Sequence, residues 1–412
     1  MKKILLLIIF LFVSASIIAK NIELTFWFSS GFNAKECIEE MTNEYNSLQS
    51  SVKVKSVFQG LYEEMETKMR TAAVIRQLPD IAQEKFEYMD LYIEEGLIEP
   101  IDDLIREYDK GDIYPQMWEA VLRNGKIYGI PFAVNTLIFF YNADLLKRAG
   151  IHQEQLPDTW GEIVEMGKKI TTDQDGDGNI DRYALVFWQS GFNMLAPFLW
   201  AYGGELFSED GERVILTSEA MVKTITMLKD LAYTHEIMPK NWTDFEGAQA
   251  FLTGKLAMGP FISGGLAYFE ENLPWTLKIT LMPLINGKRY SVLTGLALIN
   301  FSKSRKKRRA ANDFISWLVN KENTIKLFER VGYLPVRKSA LSSLELRSFI
   351  KKNPNFAVPL SALVHARALP HHREYYKINQ MLQDMLERII LEGTDPLSEV
   401  EITENEINSM LE

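Results

Sequence analysis

The chain has 412 residues, 47% of them apolar and 24% charged, with a formal net charge of −10 at pH 7. That length exceeds one ordinary core and suits two domains, and the composition is that of a soluble globular protein. The negative charge excludes nucleic acid as a partner, and the single cysteine, Cys37, excludes an intrachain disulfide.

Lys2 and Lys3 precede an unbroken apolar run over 4–13, and small and polar residues follow as far as Ala19. That is the order of a secretory signal peptide, and the run is too short to span a bilayer. Residues 1–19 are therefore read as a cleaved leader that sends the protein to the periplasm. Cys37 does not follow the apolar run directly, so a lipid-attachment cysteine is missing and a free periplasmic protein is expected.

Residues 22–27 and 52–58 alternate as strands, with helices predicted over 34–45 and 62–76. A short strand at 79–82 and a helix over 88–95, stopped by Gly96, complete a β-α-β-α-β order, which implies a mostly parallel sheet covered by helices. Asn124-Gly125-Lys126 reads as a hairpin turn. Residues 134–141 form a strand leading to a helix at 143–149, and Thr159 and Glu162 have capping-box spacing at the head of the next helix. Helices over 193–202, 218–235 and 244–253 follow in succession, and strands at 256–261, 278–283 and 291–301 come after them. Helices at 309–320, 324–331, 375–391 and 399–411 close the chain. Lys303 to Arg309 holds six cations in seven residues, either a solvated helix start or a docking patch. The pattern contains no low-complexity linker, so the chain is expected to cross between its domains more than once.

Six stretches now line up with a known family. They are Leu24-Thr-Phe-Trp27, Leu78-Pro-Asp-Ile81, Gly129-Ile-Pro-Phe132 leading to Phe140-Tyr-Asn142, Pro157-Asp-Thr-Trp160, Phe251-Leu-Thr-Gly254-Lys-Leu-Ala-Met258 and Gly332-Tyr-Leu-Pro335. Their order and spacing resemble the family 1 extracellular solute-binding proteins of ABC importers, the group of the maltose-binding and glycerol-3-phosphate-binding proteins. The resemblance covers the chain beyond its leader. It implies a two-lobe α/β periplasmic-binding-protein fold of type II, each lobe a mostly parallel sheet flanked by helices, with a ligand cleft at the hinge. By that likeness lobe 1 is 20–133 plus 292–334 and lobe 2 is 134–291 plus 335–412. The hinges fall at 133–136, 291–295 and 333–336. The implied function is periplasmic capture of a sugar or oligosaccharide by hinge closure. The loaded carrier, a monomer, docks transiently on the membrane subunits of an ABC permease. No cofactor is required.

A sugar presents hydroxyls at its rim and apolar C–H faces, so its site needs aromatic platforms with amides, carboxylates and hydroxyls. Ser30 follows the first strand, Tyr62 the second, and Glu84 and Glu87 the third, all at the carboxyl edge where α/β folds bind ligands. Asn135 is a polar residue inside an apolar crossover and coincides with a family ligand position. Trp188 follows the strand at 183–187, and Asn193 opens the next helix. Trp242 lies on an acidic-aromatic loop, and Ser263 and Gly264 follow a strand. Gly295 and Tyr333 match family binding positions, and Tyr376 and Asn379 share one face of the tail helix. Each side chain also has a structural alternative in core packing or helix capping. The aromatic residue common in the family near Gly264 is missing here. Asn379 stands where the glycerol-3-phosphate binders place an arginine, which favours a neutral sugar over a glycerol-3-phosphate-like ligand.

Asp173, Asp175, Asp177, Asn179 and Asp181 put oxygen ligands at the spacing of an EF-hand loop, but Ala184 stands where the bidentate glutamate belongs. The loop fits a structural calcium site or a tight Asp-Gly turn. No nucleophile elbow, zinc-helix or phosphate-loop motif occurs. The plentiful carboxylates leave an exported glycoside hydrolase as the alternative of a different class.

Overall fold

The computed structural model describes residues 21–31, 33–151, 156–187 and 191–412. Strands β1 (Ile22–Phe28), β2 (Val52–Phe58) and β3 (Ile81–Lys85) alternate with helices Ala34–Leu48 and Tyr62–Val74. β1 pairs in parallel with β2 along its whole length and with β3 at its end, so all three carboxyl ends point the same way. β2 is an edge strand that buries Val52 and Val54 and exposes Lys53 and Lys55, a pattern that blocks further pairing. The hairpin of β4 (Leu122–Arg123) and β5 (Lys126–Ile127) turns at Asn124 and Gly125, both at positive φ, as its two-residue loop requires.

β6 (Ile130–Asn142) is buried along all 13 residues and carries the chain from one sheet region to the next. β7 (Tyr183–Leu185), β8 (Leu256–Ile262) and β9 (Leu277–Thr280) assemble on its second half, where Leu137 faces Ile262 and Phe139 faces Thr280. β10 (Ser291–Asn300) returns antiparallel to β3 and to the first half of β6, and β11 (Ala366–Ala368) pairs with its start. The sheet path runs β2-β1-β3-β10-β6-β8-β7, with parallel pairs toward the edges and antiparallel pairs at the two crossing strands. A strand buried on both faces reads as a continuous apolar run, which is why β6 shows no alternation.

Two aromatic clusters mark the two sides of one continuous core. On one side the Phe26 ring lies 5.6 Å from both Phe28 and Phe314. Phe140, Phe251, Phe261 and Phe269 pack on the other, with Phe140 stacked on Phe261 at 4.7 Å. Cys37 is fully buried in the first, where burial pushes its thiol up to about 11 and leaves it unreactive. Helix Tyr375–Glu387 runs into a wider turn over Arg388–Glu392 and, with helix Pro396–Leu411, packs on the helices of the second region.

Candidate solute-binding cleft

The three crossings lie side by side. Gly295 is opposite Val134, Thr294 opposite Asn135, and Leu334 N donates to Val134 O at 2.8 Å. Gly295 has φ +149°, and a Cβ there would stand 2.2 Å from Ala133 O, so only glycine permits this approach.

At this crossing lies a cavity of about 130 Å³, lined by Tyr62, Lys85, Asn135, Asn193, Ile262 and Tyr333 and floored by Ala133, Thr294, Gly295 and Leu296. Tyr62 opens its helix just past the carboxyl end of β2; its hydroxyl lies 3.0 Å from that of Tyr333 and accepts Gly31 N at 3.4 Å. Tyr333 is buried, and burial, then Tyr62, lifts its phenol well above the usual range, so it stays a neutral hydrogen-bonding group. Asn135 makes only long bonds: Nδ2 donates to Ala133 O and Oδ1 accepts from Ser263 Oγ, both at 3.4 Å. Its amide keeps capacity for another partner. Ser263 is buried and positions Asn135. A Cβ on Gly264 would lie 2.5 Å from Asn135 Oδ1 and 2.8 Å from Tyr333, so the missing side chain makes room for these two. Asn193 points a buried Oδ1 with no hydrogen-bond partner among the described residues.

Lys85 enters this cavity as the last residue of β3 and was not foreseen as a site residue. Burial works against its charge, but Tyr88, Glu87, Glu63 and Glu66 outweigh burial and hold its pKa above that of an ordinary lysine. Its neighbour Glu84 faces the other way, as strand alternation demands. Glu84 accepts Tyr92 OH at 2.6 Å and Lys85 N at 2.9 Å, and burial beside Glu66 raises its carboxyl well above the usual range. Glu87 is buried too, its pKa raised by burial, with Oε2 unpaired. Ser30 is buried at the end of β1. Neither Glu84, Glu87 nor Ser30 lines the cavity.

The tail helix meets the first lobe beside the cavity rather than inside it. Tyr376 lies under the Arg70 guanidinium at 4.4 Å and edge-on to Tyr88. Asn379 Oδ1 accepts Phe192 N at 2.9 Å and so closes the start of the helix that carries Asn193. Next to them Arg373 pairs with Glu94 at 2.9 Å, and His371 with Asp90 at 3.1 Å. Trp242 packs edge-on against Tyr183 at 5.3 Å. Tyr183 starts β7, whereas the cavity touches Ile262 at the far end of the parallel neighbour β8, so Trp242 sits at the wrong edge to meet a solute there. Trp188 lies outside the described residues.

The acidic loop is separate from the cleft. Asp173, Asp175 and Asp177 bring carboxylate oxygens within 4.8 Å of one another. Asp173 accepts Gly176 N and Gly178 N, Asp177 accepts Asn179 N at 2.7 Å, and Asp181 accepts Gln174 N at 2.7 Å. Backbone amides thus occupy one or more oxygens of each carboxylate.

A cavity built from two lobes and their crossing strands is the arrangement of a carrier that closes on a small solute. The chain belongs to the bacterial extracellular solute-binding proteins, whose family model matches residues 40–358. It is 28% identical over 350 residues to the sn-glycerol-3-phosphate-binding periplasmic protein UgpB of Rhizobium meliloti, covering 82% of this chain and 80% of that one. The fold is similar to the cyclic alpha-maltosyl-1,6-maltose binding protein of Arthrobacter globiformis, with a TM-score of 0.80, 21% identity and 95% and 99% of the two chains covered. It is also similar to UgpB of Mycobacterium tuberculosis in complex with glycerophosphocholine, with a TM-score of 0.82, 23% identity and 94% and 98% covered. No helix among the described residues is long and apolar enough to cross a membrane.

Proposed function

We propose that the chain captures an uncharged carbohydrate at the crossing and hands it, chemically unaltered, to the membrane subunits of an ABC importer. The observation that carries this reading is the chemistry of the cavity wall: two tyrosines, two amides and a threonine beside a single cation, Lys85. Hydroxyls both donate and accept, so they suit such a mixed lining, whereas an isolated phosphate would also meet the field of Glu63, Glu66 and Glu87. In this conformation about 130 Å³ holds one small polyol, so longer saccharides enter only when the hinge opens. The chain is exported by its leader, acts as a monomer, needs no cofactor and catalyses nothing.

A second reading, a glycerol-3-phosphate or related polyol-phosphate carrier, is favoured by Lys85 in the cavity and by the UgpB relatives. A thermal-shift screen of mono- and oligosaccharides beside glycerol-3-phosphate and glycerophosphocholine separates the two, followed by analysis of the recovered ligand. Stabilisation by a saccharide recovered intact supports the first reading. Stabilisation by the phosphates alone supports the second, and a hydrolysed saccharide supports the glycosidase.

A further inference from the structure

The seam beside the cavity carries contacts of its own between the two lobes. On one side stand Arg70 of helix Tyr62–Val74, Tyr88 of the turn after β3, and Glu94 and Glu95 at the end of helix Met89–Glu94. On the other stand Arg373 and Tyr376, at the head of the tail helix Tyr375–Glu387, which packs on helices Phe192–Ala201 and Pro396–Leu411. None of them lines the cavity.

The two faces match in charge and in shape. Arg373 reaches Glu94 at 2.9 Å and Glu95 at 3.4 Å. The Arg70 guanidinium lies 4.4 Å from the centre of the Tyr376 ring, and Tyr88 meets that ring edge-on at 5.6 Å. Arg70 is paired with Glu66 one turn back on its own helix, so it is oriented before the lobes meet. Glu94 and Glu95 close their helix, where the dipole opposes negative charge. The cation that offsets this comes from across the seam, so a local rule broken in one lobe is answered by the other. Opening the hinge separates these faces and returns both carboxylates and Arg373 to water. A contact made only in the closed shape shifts the balance toward closure by its own free energy, with or without a solute.

We propose that the Arg373 ion pairs and the Arg70–Tyr376 stack form a clasp that populates the closed shape ahead of the solute and sets part of the affinity from outside the cavity. This rests on the hinge-closure reading of the cleft. Apparent affinity scales with the fraction of protein in the competent shape, so the clasp acts on Kd without touching the solute. Partly exposed ion pairs are weak, and the clasp therefore biases the hinge without locking it, as a carrier that must reopen requires.

The test is double electron–electron resonance on the solute-free protein, with spin labels on Thr67→Cys and Glu165→Cys, one exposed site in each lobe. Cys37 is buried and takes no label. The wild type shows a component at the separation found in this structure. Arg373→Glu lowers that fraction about 3- to 10-fold, Glu94→Arg lowers it similarly, and the double exchange restores most of it, a coupling that independent surface changes do not show. Tyr376→Leu lowers the fraction severalfold. High salt brings the wild type and Arg373→Glu together. Unchanged circular dichroism shows that each variant is folded. A fraction indifferent to these substitutions, or a double exchange that adds the two losses, overturns the clasp. Maltose and glycerol-3-phosphate are added last. A component that grows with either reports closure on a solute; one indifferent to both counts against the solute assignment, while the solute-free coupling still decides the clasp.

Discussion

The groove between helices Trp160–Ile170 and Glu219–Tyr233 holds about 760 Å³, the cavity at the strand crossing about 130 Å³. The larger is lined by Trp160, Val164, Tyr202, Met227, Leu231 and Ile285, all on one side of the hinge. A molecule lodged there meets the same walls whether the lobes are open or closed, so it cannot shift that equilibrium. The smaller draws Tyr62 and Lys85 from one lobe, Asn193 and Ile262 from the other, and Asn135, Gly295 and Tyr333 from the strands and turn between them. Its ligand gains contacts only on closure. For a carrier that must report occupancy by its shape, convergence of polar groups from both sides outweighs volume.

The largest effect that separates the two hollows is loss of solute affinity. Tyr62→Ala or Asn135→Ala raises Kd by about 10- to 100-fold, as removal of a buried hydrogen-bonding partner does, while Met227→Ala in the large groove leaves Kd unchanged. Calorimetric titration measures all three, and a reversed pattern moves the site to the groove. Gly264→Ala comes next. Its methyl would press on Asn135 Oδ1 and Tyr333, so Kd rises about tenfold with little change in far-UV circular dichroism.

A smaller effect concerns the acids beneath the cavity. Glu84 and Glu87 have carboxyls raised above the usual range, by burial first. A group whose folded pKa is raised contributes stability that is complete below its unfolded pKa and is lost as pH rises through the folded one. The protein therefore loses stability as pH climbs out of the ordinary carboxylate range. Glu84→Gln, which keeps an acceptor for Tyr92, flattens that decline and raises Tm at pH 8 by about 2–4 °C. A Tm profile unchanged in shape would contradict it. The smallest effect belongs to the 173–181 loop. A Tm difference between calcium and chelator at constant solute Kd assigns it a structural cation, and superimposable melts assign it the Asp-Gly turn alone.

Much of this architecture was legible because local chemistry announced it. The Asn124-Gly125 turn forms with both residues at positive φ, and Thr159 and Glu162 form the reciprocal cap that their spacing predicts. The crossings predicted near Asn135, Gly295 and Tyr333 meet around one small cavity. Lys85 escaped notice because the third strand was read as ending at 82. It runs to Lys85, and period-2 alternation then sends Lys85, not Glu84, toward the cleft. Trp242 drew attention by composition, but only the three-dimensional start of β7 at Tyr183 reveals which edge it occupies. Between 335 and 374 the chain forms the short helices Lys338–Leu341, Leu344–Lys352 and Ala357–Ala362 and the three-residue β11. Segments of one or two turns carry too few repeats to show a period, and tertiary packing rather than propensity holds them.

The central claim is closure of two lobes on an uncharged carbohydrate. Small-angle scattering of the wild type, titrated with the saccharide that most raises its Tm, tests it directly. The account predicts a radius of gyration that falls to a plateau as the saccharide saturates, with Asn135→Ala reaching that plateau only at far higher concentration. A scattering curve that stays the same at saturating saccharide would contradict it.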